Sequence, residues 1–363
     1  MYTTLPRDKS GFPNLQGESL GVLAQKMHIY QLHPGHDNLV RLQRKVRVWI
    51  NNHLTLDNLH RVCHYAVSQS PTHLEVPLYQ WASKLFVQLG QEVYFGATLS
   101  KINPEVPNNF LIFDELIWKV LYQYPDFLSQ DMARGRARVV AALSQYFQTP
   151  TADRVDAAWL IRAMEDEMRA LGVEVEDMAI IVFHLYIAEE TRPAFDGDTL
   201  VDPFYIQDRF KCPQVDAIWH ETLRMAGWSA SIRLITKDTV IGGKLMRKGH
   251  RVMVPHRIQH FDESVFGENT HEFQPERWLK EPNLPQSPSW HPFGAGKTLC
   301  SGRFLARYTV TSFVATVLRR FDIEMVGNPP FPEGDEGRPV LGIISIKEGQ
   351  EFNVRLTARA NSS

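Results

Sequence analysis

Residues 291–302 read HPFGAGKTLCSG, and two chemistries compete for the stretch. Its GAGKT portion resembles the end of a phosphate-binding loop, G-x-x-x-x-G-K-[ST] on the turn after a buried strand. The first glycine of that pattern would fall at 291, which is His291, and EPNLPQSPSWHP before it does not read as a strand. The nucleotide reading fails on both counts. Centred on Cys300, the same letters become Phe293-x-x-Gly296-x-x-x-Cys300-x-Gly302, a glycine-bearing loop that sets a cysteine at the start of an amphipathic helix. Backbone N–H groups at a helix start lower a thiol's pKa and hold its anion. The glycines let main chain approach a flat ligand, and Phe293 can shield the sulfur. Such a thiolate suits the axial position of haem iron. A lone cysteine is more often an inert buried thiol; the surrounding pattern reverses that reading here, and the residues upstream carry the decision.

Upstream, HETLR supplies Glu221 and Arg224, three apart on one helical face where they can pair. FQPERW supplies Arg277 after a proline-rich connection, suited to joining that pair through guanidinium–carboxylate bonds. An isolated Glu-x-x-Arg is also a common surface pair. His220-Glu221 would open a zinc helix only with histidine at 224, where Arg224 stands.

In order, Glu221-x-x-Arg224, Phe273-x-Pro275-Glu276-Arg277 and the Phe293-to-Gly302 loop resemble the cytochrome P450 superfamily. The resemblance covers about residues 60–360, and VPLYQWASKLFVQLGQEVYFG, SIRLITKDTVIGGKLMRKG and SPSWHPFGAGKTLCSGRFLAR resemble its fungal members near prostacyclin synthase and the sterol 7α-hydroxylases. It implies a mainly α (α+β) fold with small sheets, in one haem-thiolate domain over 1–363. It implies Cys300 as proximal thiolate to haem b, with Phe293, Gly296 and Gly302 shaping the loop. Arg233 would meet a haem propionate; otherwise it is a surface charge at a strand edge. Glu221, Arg224 and Arg277 would form a structural salt-bridge triad. The implied activity is monooxygenation of a lipophilic secondary metabolite or sterol-like substrate. Peroxide rearrangement without a reductase and a non-catalytic haem-binding remnant are the alternatives.

The chain departs from the family's pattern in places. Two residues before the cysteine many relatives carry arginine or histidine for a propionate; here Thr298 stands, beside Lys297. The basic run RLQRKVR (41–47) is a haem contact, a solvated helix face or a docking surface for a redox partner. No G-x-G-x-x-G follows a strand, so the family leads us to expect electrons from NADPH through a separate NADPH–cytochrome P450 reductase. Glu190 and Thr191 could be the family's proton-delivering acid–alcohol pair, but residues 192–220 are too few for the rest of that helix and the next. A deletion near the central helix, with the pair absent, fits the spacing better. The family's membrane anchor, first helices and first strands have no counterpart before Met1; a full-length relative would sit at the endoplasmic reticulum, and this chain reads as intracellular and soluble.

These residues must be positioned by a substantial core, which 363 residues at 44% hydrophobic can build. LEVPLYQWASKLFVQLGQEVYFG (74–96) spaces Trp81, Leu85, Val87, Leu89 and Val93 as a helix does, and FLIFDELIWKVLYQYP (110–125) repeats the pattern. From about 229, SIRLITKDTVIGGKLMRKGHRVMVP alternates around Gly-Gly as a hairpin. Prolines at 255, 275, 282, 285, 288 and 292 mark an irregular connection. After Cys300, FLARYTVTSFVATVLRRF puts Val310, Phe313, Val314, Val317 and Phe321 on one helical face, and KEGQEFNVRLTAR closes as strand. The net charge of −2 provides no field for nucleic acid or anionic lipid. Three widely spaced cysteines make no disulfide framework, and no apolar run is long enough to span a bilayer.

Overall fold

The computed structural model describes residues 27–35, 37–116, 119, 128–170, 195–196, 199–327, 329–330, 332–337 and 342–359. Glu190, Thr191, Val182 and Phe183, the second half of the 110–125 stretch and part of 339–345 lie outside them. In chain order the main elements are helix α1 (Asp37–His53), strands β1 (Ser68–Ser70) and β2 (His73–Pro77), and helices α2 (Leu78–Phe95), α3 (Val106–Leu116), α4 (Gln130–Gln148) and α5 (Trp159–Ala170). Helix α6 (Pro213–Ala226) follows, then strands β3 (Ala230–Leu234), β4 (Thr239–Ile241), β5 (Lys244–Met246) and β6 (Arg251–Pro255). Short helices α7 (His256–His260), α8 (Glu263–Phe266) and α9 (Glu276–Lys280) lead to helix α10 (Arg303–Arg320) and strands β7 (Phe321–Met325) and β8 (Asn353–Ala358). The architecture is mainly helical with small antiparallel sheets, as expected. The chain divides into two compact units, one of residues 1–206, 301–330 and 351–363, the other of 207–300 and 331–350.

In the first unit, helix α2 buries Trp81, Leu85, Leu89 and Val93, a four-residue repeat that lays one apolar stripe on the core. The expected helical stretch 74–96 needs a correction at its start, because residues 73–77 are strand. There β8 pairs with β2 in the register Val354↔Val76 and Leu356↔Leu74, and all four side chains are buried on one face. Pro77 then serves as N-cap with φ −63° and ψ 119°. The sheet order is β1-β2-β8-β7.

The expected face of α10 also differs. Leu305, Thr309, Ser312, Phe313, Thr316 and Val317 are buried, whereas Val314 is 46% exposed and Phe321 opens β7. Small polar residues can turn inward because Thr309 and Thr316 donate to the carbonyls of Leu305 (3.1 Å) and Ser312 (2.9 Å), four residues back. Deeper in the same unit, Arg154 makes paired bonds of 2.8 Å to Glu165 beneath the Tyr146 ring. Burial raises the Tyr146 hydroxyl to about 12.

In the second unit, α6 begins with Pro213 at its first turn, where a fixed φ and a missing N–H cost nothing, and Asp216 suits the positive helix end. The anticipated hairpin is present: β4 pairs with β5 across Gly242 (φ 55°) and Gly243 (φ 76°), a turn with two left-handed positions. Around it β3 pairs with β6, setting Arg233 opposite Val252. The proline-dense connection carries α7, α8 and α9.

Candidate functional site

Helix α6 presents Glu221 and Arg224 one turn apart, and both are fully buried. Arg224 Nε and Nη2 donate to the two carboxylate oxygens of Glu221, each at 2.8 Å. From α9, Arg277 Nε adds a bond of 3.2 Å to Glu221 Oε1. The Gln274 backbone N–H and the Trp278 indole N–H complete the set, both at 2.9 Å. Burial pushes the Glu221 carboxyl up, but these donors, Arg224 foremost, outweigh it and hold the carboxyl below its ordinary value. The guanidiniums are satisfied in turn. Arg224 donates to the carbonyls of His260 (3.1 Å) and Glu272 (3.2 Å), and Arg277 to those of Phe266 and Asn269. The three residues expected to associate therefore do so, in one desolvated cluster in which every nitrogen of both guanidiniums finds an acceptor.

Sequence reasoning missed Trp278 and His260. Trp278 directly follows Arg277 in FQPERW, and an aromatic beside a buried arginine was the available signal. His260 had none. It is fully buried, its carbonyl accepts from Arg224, and its ring Nε2 accepts from the His291 backbone N–H at 3.1 Å. Thus one histidine links the ion cluster to the root of the cysteine loop. Its proton must sit on Nδ1, because Nε2 accepts. Burial lowers its pKa to about 4, and the nearby His256, His291, Arg224 and Arg257 act in the same direction.

The loop itself is tied at several points. The His291 carbonyl accepts from Ser229 Oγ (3.0 Å) and from the Gly294 N–H (3.1 Å). The Cys300 N–H donates to the Phe293 carbonyl at 3.0 Å, which closes the loop from its first motif residue to its last cysteine. Phe293 is half-buried with its ring 6.4 Å from that of Trp219. Gly296 has φ 65°, a left-handed conformation that favours glycine. Cys300 is half-buried. Arg233, exposed on β3, lays its guanidinium on this loop and donates to the Ala295 carbonyl (3.2 Å) and the Thr298 hydroxyl (3.0 Å). It is more than a strand-edge charge. Gly302 falls in the other unit, where it is buried at φ −75° and its carbonyl accepts from the Ala306 N–H at 2.8 Å. That right-handed conformation does not itself demand glycine.

This donor set fits haem iron. A porphyrin fills four positions around the metal, so the protein needs to offer one soft donor on a loop with little side-chain bulk. Cys300 and its glycines provide both. Among the described residues no group of three His, Cys, Asp or Glu side chains is arranged to hold a bare metal ion.

The family model described as Cytochrome P450 matches residues 187–349, which contain the ion cluster and the loop. The self-sufficient cytochrome P450 monooxygenase CYP505E4 of Penicillium camemberti (strain FM 013) is 36% identical over 184 residues, 50% of this chain and 17% of that protein. The cytochrome P450 monooxygenase poxD of Penicillium oxalicum is 25% identical over 274 residues, 65% of this chain and 55% of that protein. The chain thus spans only part of the length of these relatives. Retinoic acid-bound cyanobacterial CYP120A1 has a similar fold, with a TM-score of 0.64 at 15% identity over 92% of this chain and 78% of that one. The buried Glu221–Arg224–Arg277 cluster and the cysteine loop tied to it through His260 both lie within the stretch that the Cytochrome P450 family model matches, and the chain carries the cytochrome P450 fold.

Proposed function

We propose that the chain is a haem-thiolate monooxygenase domain, with Cys300 Sγ as the iron's protein ligand. The observation that supports this most is the route by which the loop is held, from Glu221 through Arg224 and His260 to His291. A cysteine that only filled space would not need its loop braced by a buried ion cluster. Haem supplies dioxygen activation when bound, and thiolate donation favours O–O cleavage. The protein's own share is positional. Phe293 and the glycines shape the loop, Arg233 faces a propionate, and the cluster keeps the loop from sagging.

The substrate class is a lipophilic small molecule, a secondary metabolite or sterol-like compound, with one oxygen atom inserted. Residues 1–363 act as one domain, and the protein works at the endoplasmic reticulum. Electrons come from NADPH through a separate reductase, although the CYP505E4 relative is named self-sufficient. The test is spectroscopic: the haem-loaded, reduced, CO-bound protein should show the red-shifted Soret band of thiolate ligation, and Cys300→Ala should lose it. A band that survives in the variant refutes the assignment.

A further inference from the structure

Position 298 lacks the charge many relatives place there, and the geometry around it shows what stands in. Thr298 closes the 3-10 turn Gly296–Thr298. Its hydroxyl accepts from Arg233 Nη2 at 3.0 Å and donates to the Ala295 carbonyl at 3.3 Å. Arg233 Nη2 also donates to that carbonyl at 3.2 Å, and Nη1 donates to the Ile232 carbonyl at 3.0 Å. The guanidinium is therefore clamped on three oxygens, two of them in the cysteine loop. Three of its five donors are used, which leaves two for an anion. Geometry around Gly296 is compatible with this clamp, since a Cβ there would stand 3.9 Å from Arg233 Nη2, in ordinary contact.

An unclamped arginine on a two-stranded ribbon would sample many rotamers and offer a poorly defined charge. A hydroxyl at 298 removes that freedom through a charge-assisted bond. We propose that Thr298 is a positioning residue that docks the Arg233 guanidinium against the cysteine loop, so that the sheet supplies the propionate-binding charge that position 298 lacks. The proposal rests on the haem reading above. It concerns a division of labour between two residues: Arg233 touches the cofactor, and Thr298 acts through Arg233.

The test compares Thr298→Val, which keeps the shape and loses the hydroxyl, with Thr298→Ser, which keeps the hydroxyl. Each is made in the wild-type and Arg233→Gln backgrounds, and haem transfer to apomyoglobin and the iron reduction potential are measured. Thr298→Val should lose haem about tenfold faster, a difference of about 1.4 kcal/mol. Thr298→Ser should stay within about twofold of wild type, and Thr298→Val should add less than about twofold once Arg233 is glutamine. Thr298→Arg offers an independent arm, because a cation carried by the loop should make Arg233→Gln nearly silent for haem release. Equal factors in both Arg233 backgrounds, or identical behaviour of Val and Ser, would overturn the inference and leave the haem assignment standing. Wild-type protein whose reduced CO complex lacks the red-shifted Soret band would overturn the haem reading, and this inference with it.

Discussion

Glu221→Gln probes the buried cluster with a change of almost no volume. Five donors converge on the carboxylate: two from Arg224, one from Arg277, the Gln274 amide and the Trp278 indole. Glutamine must put an NH2 in place of one oxygen. At Oε1 it would face donors from Arg224, Arg277 and Gln274; at Oε2 it would face those from Arg224 and Trp278. The second arrangement conflicts less, yet two donors still lose their acceptor, and two buried guanidiniums lose their only anionic partner among the described residues. Leaving buried charge uncompensated costs about 3–5 kcal/mol, a large share of the ~5–15 kcal/mol by which domains are stable. The assay is urea titration combined with hydrogen exchange of the 213–226 peptide, which reports on α6 locally. Because the cluster is one network, Glu221→Gln/Arg224→Leu should fall short of the sum of the two single losses by at least about 1 kcal/mol. A loss below about 1 kcal/mol for Glu221→Gln, or strict additivity, would refute the account of the cluster as an interdependent buried unit.

Acid should loosen the second unit through His260. Its folded pKa near 4 lies below the unfolded value near 6.5, so its stabilising effect is complete above pH 6.5 and is lost as pH falls towards 4. That difference corresponds to about 3 kcal/mol. Protonation also takes away the Nε2 acceptor of the His291 N–H. Unfolding free energy measured against pH should show the slope, and His260→Gln, which does not titrate, should flatten it; an unchanged slope in that variant would place the effect elsewhere. At Gly296 the cost should be conformational, because a Cβ has room there but φ is 65°. Gly296→Ala should lose about 1–2 kcal/mol by thermal melting and Gly296→Asn clearly less, since Asn tolerates the left-handed region. Equal losses would point to a clash instead.

How much the chain revealed before folding can be followed through particular residues. Motifs whose members lie close in sequence were legible, because their geometry is local. Glu221 and Arg224 sit one helical turn apart, Phe293 and Cys300 belong to one closed loop, and the Gly-Gly turn carried its own conformational demand. The stripe from Trp81 to Val93 was equally plain, since its period is the helix's own. Periodicity misled where polar residues could satisfy themselves internally: the inward-facing threonines of α10 return their hydroxyls to carbonyls four residues back, so hydropathy alone marked the wrong boundary. Residues 73–77 are strand because they pair with the neighbouring β1 on one edge and, along their whole length, with β8 on the other; β8 is distant along the chain, and no local propensity encodes that second partner. Tertiary structure alone also brought His260 between Arg224 and His291 and set Arg233 against Thr298. Those contacts join residues tens of positions apart, and the hydrogen bonds that define them exist only once the backbone path has placed donor and acceptor within about 3 Å.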